Sequence, residues 1–284
     1  MSEGWNPGLE RLILTALEED AGTGDVTTLC CLNGREDASA EVTAKEDMVV
    51  AGLAVFEKVF LLVDPRLRFE APGKDGEAVH AGQVVSSISG SAASILLAER
   101  TALNFFQRMS GIATLTRRYV DRVAGTGARI LDTRKTVPGH RVLDKYAVRT
   151  GGGVNHRSGL SGGVLIKDNH IRAAGGVTAA LRRCIERVSH TFRIEVETRT
   201  LAEVREALEA GAGMILLDNM PVDRIREAVR LVDRKVPLEA SGGVTLENIR
   251  EIAETGVDFI SVGALTHSAR AADISLNLVR CGAS

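Results

Sequence analysis

The sequence has no charge excess, no long apolar run and no cysteine-pairing motif, and each absence removes a class of function. With 35 basic against 37 acidic residues in 284, no general affinity for nucleic acid or for a membrane surface is expected. The longest uncharged stretch, Ala81 to Ala98, is broken up by serines, glycines and a glutamine, so it reads as no membrane span. The N-terminal MSEGWNPGLERLIL has no apolar signal core, and the expectation is a soluble, untargeted, cytoplasmic protein. Four cysteines occur as the vicinal Cys30 and Cys31 plus the isolated Cys184 and Cys281. Without C-x-x-C pairs or histidines at zinc-like spacing, they are expected to be free thiols in a reducing compartment. Also missing are G-x-x-x-x-G-K-[ST], a spaced G-x-G-x-x-G, H-E-x-x-H and a nucleophile elbow around Ser158 or Ser161. P-loop, dinucleotide-fold, zincin and serine-hydrolase readings therefore lack their motifs.

What the chain does have is local. Arg134, Lys135, His156, Arg157, Lys167 and His170 crowd into DTRKTVPGH, TGGGVNHRSGL and LIKDNH, segments rich in glycine and short of acid. A solvated basic face would interleave acids along a helix. These cations instead follow apolar runs and turns, where loops present functional groups on a rigid scaffold. Arg134, Arg157 and Lys167 together suit a ligand with two carboxylates, because arginine grips a carboxylate through two parallel hydrogen bonds and lysine adds a point charge. His156 completes that shell. The competing reading is ion pairing to Asp132, Asp144 or Asp168.

From Arg129 onward, short β-branched runs alternate with amphipathic helices. RIEVE (193–197), MILLD (214–218), PLEAS (237–241) and FISVG (259–263) precede TLAEVREALEAG, PVDRIREAVRLV, TLENIREIAETG and a last short helix. Uniform βα units predict a parallel α/β barrel, whose chemistry sits at the carboxyl ends of its strands. That rule singles out Glu197, Asp218, Ser241 and Gly263. Glu197 and Asp218 suit a divalent metal, ribose hydroxyls or developing positive charge. Glu195 and Glu239 share their faces one layer deeper. Ser241-Gly242-Gly243 and Val262-Gly263-Ala264 each open a helix after a strand, and two such tracts in the last units predict a phosphate site. Before the barrel, LERLILTALEED reads as a helix, and AEVTA, MVVAG, RFEAP and QVVSSIS as short strands of a smaller α+β layer. A long helical stretch from Ala92 to Ala124 joins the parts, with a break expected at Ser110-Gly111. The boundary is placed there, giving domains of 1–110 and 111–284.

ERTALNFFQRMSGIATLTRRYVD, ILDTRKTVPG, DKYAVRTGGGVNHR, LIKDNHI, ILLDN, EASGGV and VGALTHS resemble, in order and spacing, the quinolinate phosphoribosyltransferases. The match runs from about Leu12 to Leu276. The resemblance implies an N-terminal α/β sandwich and a C-terminal incomplete, open α/β barrel, with the C-terminal tail packing back on the N-terminal domain and the chains forming a homodimer or a larger even assembly. It implies quinolinate and phosphoribosyl pyrophosphate as substrates, magnesium as the only cofactor, and nicotinate mononucleotide, pyrophosphate and carbon dioxide as products. Arg134, His156, Arg157 and Lys167 then hold the quinolinate carboxylates beside Thr133, with Arg100 contributed by the partner subunit. Lys135, Glu197, Asp218, Ser241, Gly242, Gly243, Val262, Gly263 and Ala264 form the phosphoribosyl pyrophosphate side, Glu197 and Asp218 being the metal residues. Lys135, Lys167, Glu197 and Asp218 act on the reacting groups, and His170 only orients its loop.

The chain departs from the family pattern at Gly162-Gly163, where a Tyr-Asp or similar pair is usual, and at Thr198-Arg199 after IEVE. Arg199 puts a cation beside Glu197. Other readings are a paralogous molybdenum-associated or nicotinate-using phosphoribosyltransferase, a Schiff-base lyase using Lys167, and a silent scaffold that binds a phosphorylated anion.

Overall fold

The computed structural model describes residues 7–283; the beginning of the polar N-terminal stretch, read above as lacking a signal core, lies outside them. The chain divides into two compact units, one running to Thr114 and resuming at Ala269, the other spanning Leu115–Ser268.

The first unit contains α1 (Pro7–Ala21), α2 (Val26–Cys31), β1 (Glu36–Ala44), β2 (Met48–Val49), α3 (Leu53–Val63), β3 (Arg68–Glu70), β4 (Ala78–Val79), β5 (Val84–Ser91) and most of α4 (Ala92–Arg122). The alternation of β1, buried at every second residue from Ala38 to Ala44, gives its sheet one wet and one dry face. The dry side closes on aromatic packing, with the Phe56 ring centroid 5.1 Å from both Phe60 and Phe106.

Helix α4 does not break at Ser110-Gly111 as the sequence led us to expect; it is continuous over 31 residues. Gly111 is needed there for close approach, since a Cβ would lie 2.0 Å from the Arg270 carbonyl oxygen. Ser110 turns its hydroxyl to the backbone of Ala51. Small residues mark a packing seam here, and the helix pattern prevails over them.

The second unit contains β6 (Arg129–Leu131), α5 (Arg141–Thr150), β7 (Val164–Ile166), α6 (Asp168–Ala174), α7 (Val177–Arg187), β8 (Ile194–Thr198), α8 (Leu201–Glu209), β9 (Met214–Asp218), α9 (Val222–Val232), β10 (Leu238–Ser241), α10 (Ile249–Ala253), β11 (Phe259–Ser261) and α11 (Ala264–His267). Its six strands run parallel in the order β6-β11-β10-β9-β8-β7. The first strand lies beside the last, while no ladder among the described residues joins β6 to β7: this is an α/β barrel left open at one seam. Every residue of β8 is buried, as expected where a parallel strand is covered on both faces.

Helix α10 is shorter than TLENIREIAETG predicts. The Asn248 side chain accepts from the Thr245 amide at 2.8 Å and donates to the Gly243 carbonyl at 2.9 Å, holding 243–248 in a turn that delays the helix. After the barrel, β12 (Ile274–Ala283) pairs antiparallel with β1, giving the first unit a four-stranded sheet of order β12-β1-β5-β3.

Candidate active site

A cavity of about 320 Å³ opens at the carboxyl ends of the barrel strands. Thr133, Arg134 and Lys135 reach it from the exit of β6, His156 and Arg157 from the loop after α5, and Lys167 from the exit of β7. Glu197 comes from β8, Asp218 and Asn219 from β9, Ser241 to Gly243 from β10 and Ser261 from β11. One period-two rule thus delivers residues from six strands to one mouth.

Two kinds of charge face each other across it. On one side Arg134 and Arg157 converge; burial first, and the Arg134 charge second, lower the Arg157 pKa. Asp132 is no partner for either, being occupied by the Lys145 amine, the Asn155 amide and the His156 N–H. Arg157 donates to the Gly163 carbonyl at 3.0 Å. On the other side Glu197, 7% exposed, accepts from Lys167 Nζ at 3.0 Å. Lys167 opens α6, and its N–H donates to His170 Nδ1 at 2.9 Å, so His170 orients the loop that carries the lysine.

Deeper in the barrel, His156 meets Glu195 and Glu239. Its Nε2 lies 3.2 Å from Glu195 Oε2 and 3.7 Å from Glu239 Oε2, while Nδ1 accepts from the Arg157 N–H at 2.7 Å. Burial lowers the His156 pKa; the Glu195 hydrogen bond and the two carboxylate charges outweigh it, and the net direction is upward. Glu239, 1% exposed, is pushed up to about 8, by burial first and the Glu195 charge second. The ligand-type atoms of these three residues lie within 4.8 Å of one another.

A pH prediction follows from Glu239. Its carboxyl is raised from 4.5, so with rising pH the unfolded chain gives up a proton that the folded chain keeps. This group therefore makes folding less stable from about pH 4.5 to about pH 8, with no further loss above that window. Glu239→Gln imitates the protonated form and is expected to remove the slope. Urea unfolding at pH 5 and pH 8 checks it: the variant gains on the wild type as pH rises, and an unchanged difference would refute the assignment.

The residues read as a phosphate site divide. Ser241, Gly242 and Gly243 line the cavity. Gly242 has φ +94°, and a Cβ would lie 2.2 Å from Asn219 Oδ1, so this turn and Asn219 fit only with glycine. Val262, Gly263 and Ala264 lie behind the lining; Val262 is buried, and a Cβ on Gly263 would come 3.2 Å from Lys135 Cδ. They support the Lys135 loop, whose carbonyl accepts from Thr266 at 2.8 Å. Arg100 is exposed on α4 in the first unit, and every lining residue belongs to the second. Sequence reasoning missed Asn219, Ser261 and the apolar floor of Leu165 and Leu216. Strand alternation could have found Ser261 and Leu216; nothing local marks Asn219 except its neighbour Asp218.

At Gly162 and Gly163 a Cβ would meet only ordinary contacts of 3.5 Å or more, so the structure does not demand glycine there. Arg199 is engaged with Asp168, Glu197 and Asp218. Metal could be held by Glu197 and Asp218, hard oxygen donors that already collect positive charge from Lys167 and Arg199, so the residues fit a divalent cation. Among the described residues, no helix is long and apolar enough to cross a membrane.

Family models of the quinolinate phosphoribosyl transferase C-terminal and N-terminal domains match residues 112–277 and 25–110. The chain is 43% identical over 270 residues to a probable nicotinate-nucleotide pyrophosphorylase (carboxylating) of Bacillus subtilis, covering 95% of this chain and 93% of that one. It is 48% identical over 289 residues to the chloroplastic nicotinate-nucleotide pyrophosphorylase (carboxylating) of Arabidopsis thaliana, covering 95% and 82%. Among solved structures, nicotinate-nucleotide pyrophosphorylase from Ehrlichia chaffeensis superimposes with a TM-score of 0.91 at 42% identity, over 94% of this chain and 97% of that one.

Proposed function

The chain belongs to the quinolinate phosphoribosyltransferase family, and from that premise we propose how its barrel mouth carries out the family's reaction. It is a phosphoribosyltransferase of NAD biosynthesis. It joins quinolinate to phosphoribosyl pyrophosphate and releases pyrophosphate and carbon dioxide, leaving nicotinate mononucleotide. The observation that carries the site assignment is the division of charge: two converging guanidinium groups, neither in an ion pair among the described residues, face a pair of acids across one cavity.

Arg134 and Arg157 take the two quinolinate carboxylates, and Lys167 stands between that pair and the acids. His156, with Nε2 turned to Glu195 and Glu239, props the Arg157 side of the clamp. The pyridine ring lies on the apolar floor of Leu165 and Leu216, its nitrogen toward the ribose. Positive charge grows on the ribosyl ring as pyrophosphate leaves, and Glu197 and Asp218 stabilise it while Lys135 neutralises the departing group. The turn of Ser241 to Gly243, which precedes the delayed helix, offers backbone amides to the phosphate as a loop rather than as a helix N-terminus. Glu197 and Asp218 would also hold magnesium, which would supply further neutralisation of pyrophosphate. Once nitrogen is alkylated, its positive charge stabilises the electron pair left on the adjacent ring carbon when the carboxylate departs as carbon dioxide, and that carbon then takes a proton from water, so no covalent nucleophile is needed. Lys167 is held in an ion pair with Glu197, an arrangement that suits a charge contact rather than imine formation. We place the working enzyme in the cytoplasm as a homodimer or larger even assembly without nucleic-acid or membrane partners, Arg100 reaching the site of the partner subunit. The exposure of Arg100 and its absence from the lining support that reading.

Incubation with quinolinate, phosphoribosyl pyrophosphate and magnesium is expected to yield nicotinate mononucleotide and carbon dioxide in equal amounts. Nicotinate offered in place of quinolinate is expected to give none. Product from nicotinate, or none from quinolinate with any divalent metal, would overturn this function.

A further inference from the structure

Arg199 leaves the end of β8 on a turn that fixes where it points. Its N–H donates to Glu203 Oε2 at 2.6 Å, and the N-cap Thr200 accepts from the Glu203 N–H at 3.2 Å. The first turn of α8 and its cap therefore lock the backbone that presents this arginine. The guanidinium meets three carboxylates carried by three successive strand exits. It lies 3.2 Å from Asp168 Oδ2, 3.3 Å from Asp218 Oδ2 and 3.8 Å from Glu197 Oε1. The arginine side chain is 51% exposed, so its guanidinium can swing into water when another cation takes its place among the acids.

We propose that Arg199 is a built-in competitor for the divalent cation, holding Glu197 and Asp218 in the metal-free enzyme and yielding to the ion when it binds. The inference rests on the reading of those two acids as the metal residues. Carboxylates brought this close repel one another unless a cation lies among them. A guanidinium answers that need with one charge and directed N–H donors; a small hard cation answers it more strongly with two charges and claims the same oxygen lone pairs. The two occupants exclude each other, and the affinity measured for the metal is reduced by the fraction of molecules in which Arg199 is in place. The arginine thus keeps the acids gathered while idle, at the expense of weaker metal binding before substrate arrives.

The test is a titration of the free enzyme with Mn2+ alone, without quinolinate or phosphoribosyl pyrophosphate, following the signal of unbound Mn2+ by electron paramagnetic resonance. Arg199→Gln is expected to bind Mn2+ about tenfold more tightly than the wild type at low salt. The gap should narrow as added salt screens the exposed guanidinium. Arg183→Gln, at an exposed position of α7, controls for the change in net charge and is expected to leave the Mn2+ affinity unaltered. Equal affinity of Arg199→Gln and wild type, with binding abolished by Glu197→Gln and Asp218→Asn, would overturn the competitor role and leave the metal assignment standing. Mn2+ binding that is undiminished in Glu197→Gln and Asp218→Asn, or undetectable in every form, would overturn both.

Discussion

Asp132→Ala is expected to cost about 3–5 kcal/mol of folding stability, the range for leaving a buried charge without its partner. Asp132 is fully buried, and Lys145 is 4% exposed. Lys145 Nζ donates to Asp132 Oδ1 and to the His156 carbonyl, the latter at 2.9 Å. The same carboxylate accepts from the His156 N–H at 2.8 Å and from Asn155. Burial raises the Asp132 pKa, while Lys145, the His156 amide and Asn155 pull it back. The network thus pins the loop that carries His156 and Arg157 to the exit of β6. Urea unfolding measures the first loss, and the affinity for quinolinate measures the second. The double variant Asp132→Ala/Lys145→Met removes both charges and is expected to regain most of the stability, because the unpaired ammonium is gone. It is not expected to regain quinolinate affinity, because the loop has lost its tether. A single variant unfolding within about 1 kcal/mol of the wild type would show that Asp132 does not compensate Lys145.

That network explains which parts of the site were legible beforehand. Strand ends are written in the sequence: MILLD is β9 from Met214 to Asp218, and the period-two rule places Glu197 and Asp218 at the mouth with Glu195 and Glu239 beneath. The cations after β6 and β7 follow from the same rule. Asp132 could not be assigned, because an acid beside Thr133-Arg134-Lys135 has an obvious partner in sequence and a different one in space. Its partner Lys145 lies on α5, and the identity of that contact depends on how the helix packs. Ser110-Gly111 failed for the converse reason. A dipeptide that breaks helices in isolation stays helical when its small surface admits another backbone, here that of Arg270.

Arg157→Ala should separate stability from function. Its guanidinium is partly buried, and Arg134 repels it; its hydrogen bond to the Gly163 carbonyl is modest compensation. Burial and Arg134 outweigh the attraction of Glu195, so in the free enzyme this charge is a liability that a bound dianion relieves. Its removal is therefore expected to leave the thermal midpoint at or above that of the wild type. The same change is expected to lower kcat/KM for quinolinate about 10²–10³-fold, since a carboxylate loses its charged partner in a desolvated pocket. The loss should fall mainly on KM if Arg157 holds substrate and transition state alike, and on kcat if it grips the dianion more firmly as the ring nitrogen is alkylated. Arg157→Lys is expected to recover only part, because lysine restores the charge without the planar pair of donors. An alanine variant that melts well below the wild type would mean that Arg157 is a structural residue of the loop. One that keeps full turnover would remove it from the clamp. Arg134→Ala, measured in parallel, is expected to lower kcat/KM in the same direction with little change in the thermal midpoint, because Arg134 is exposed.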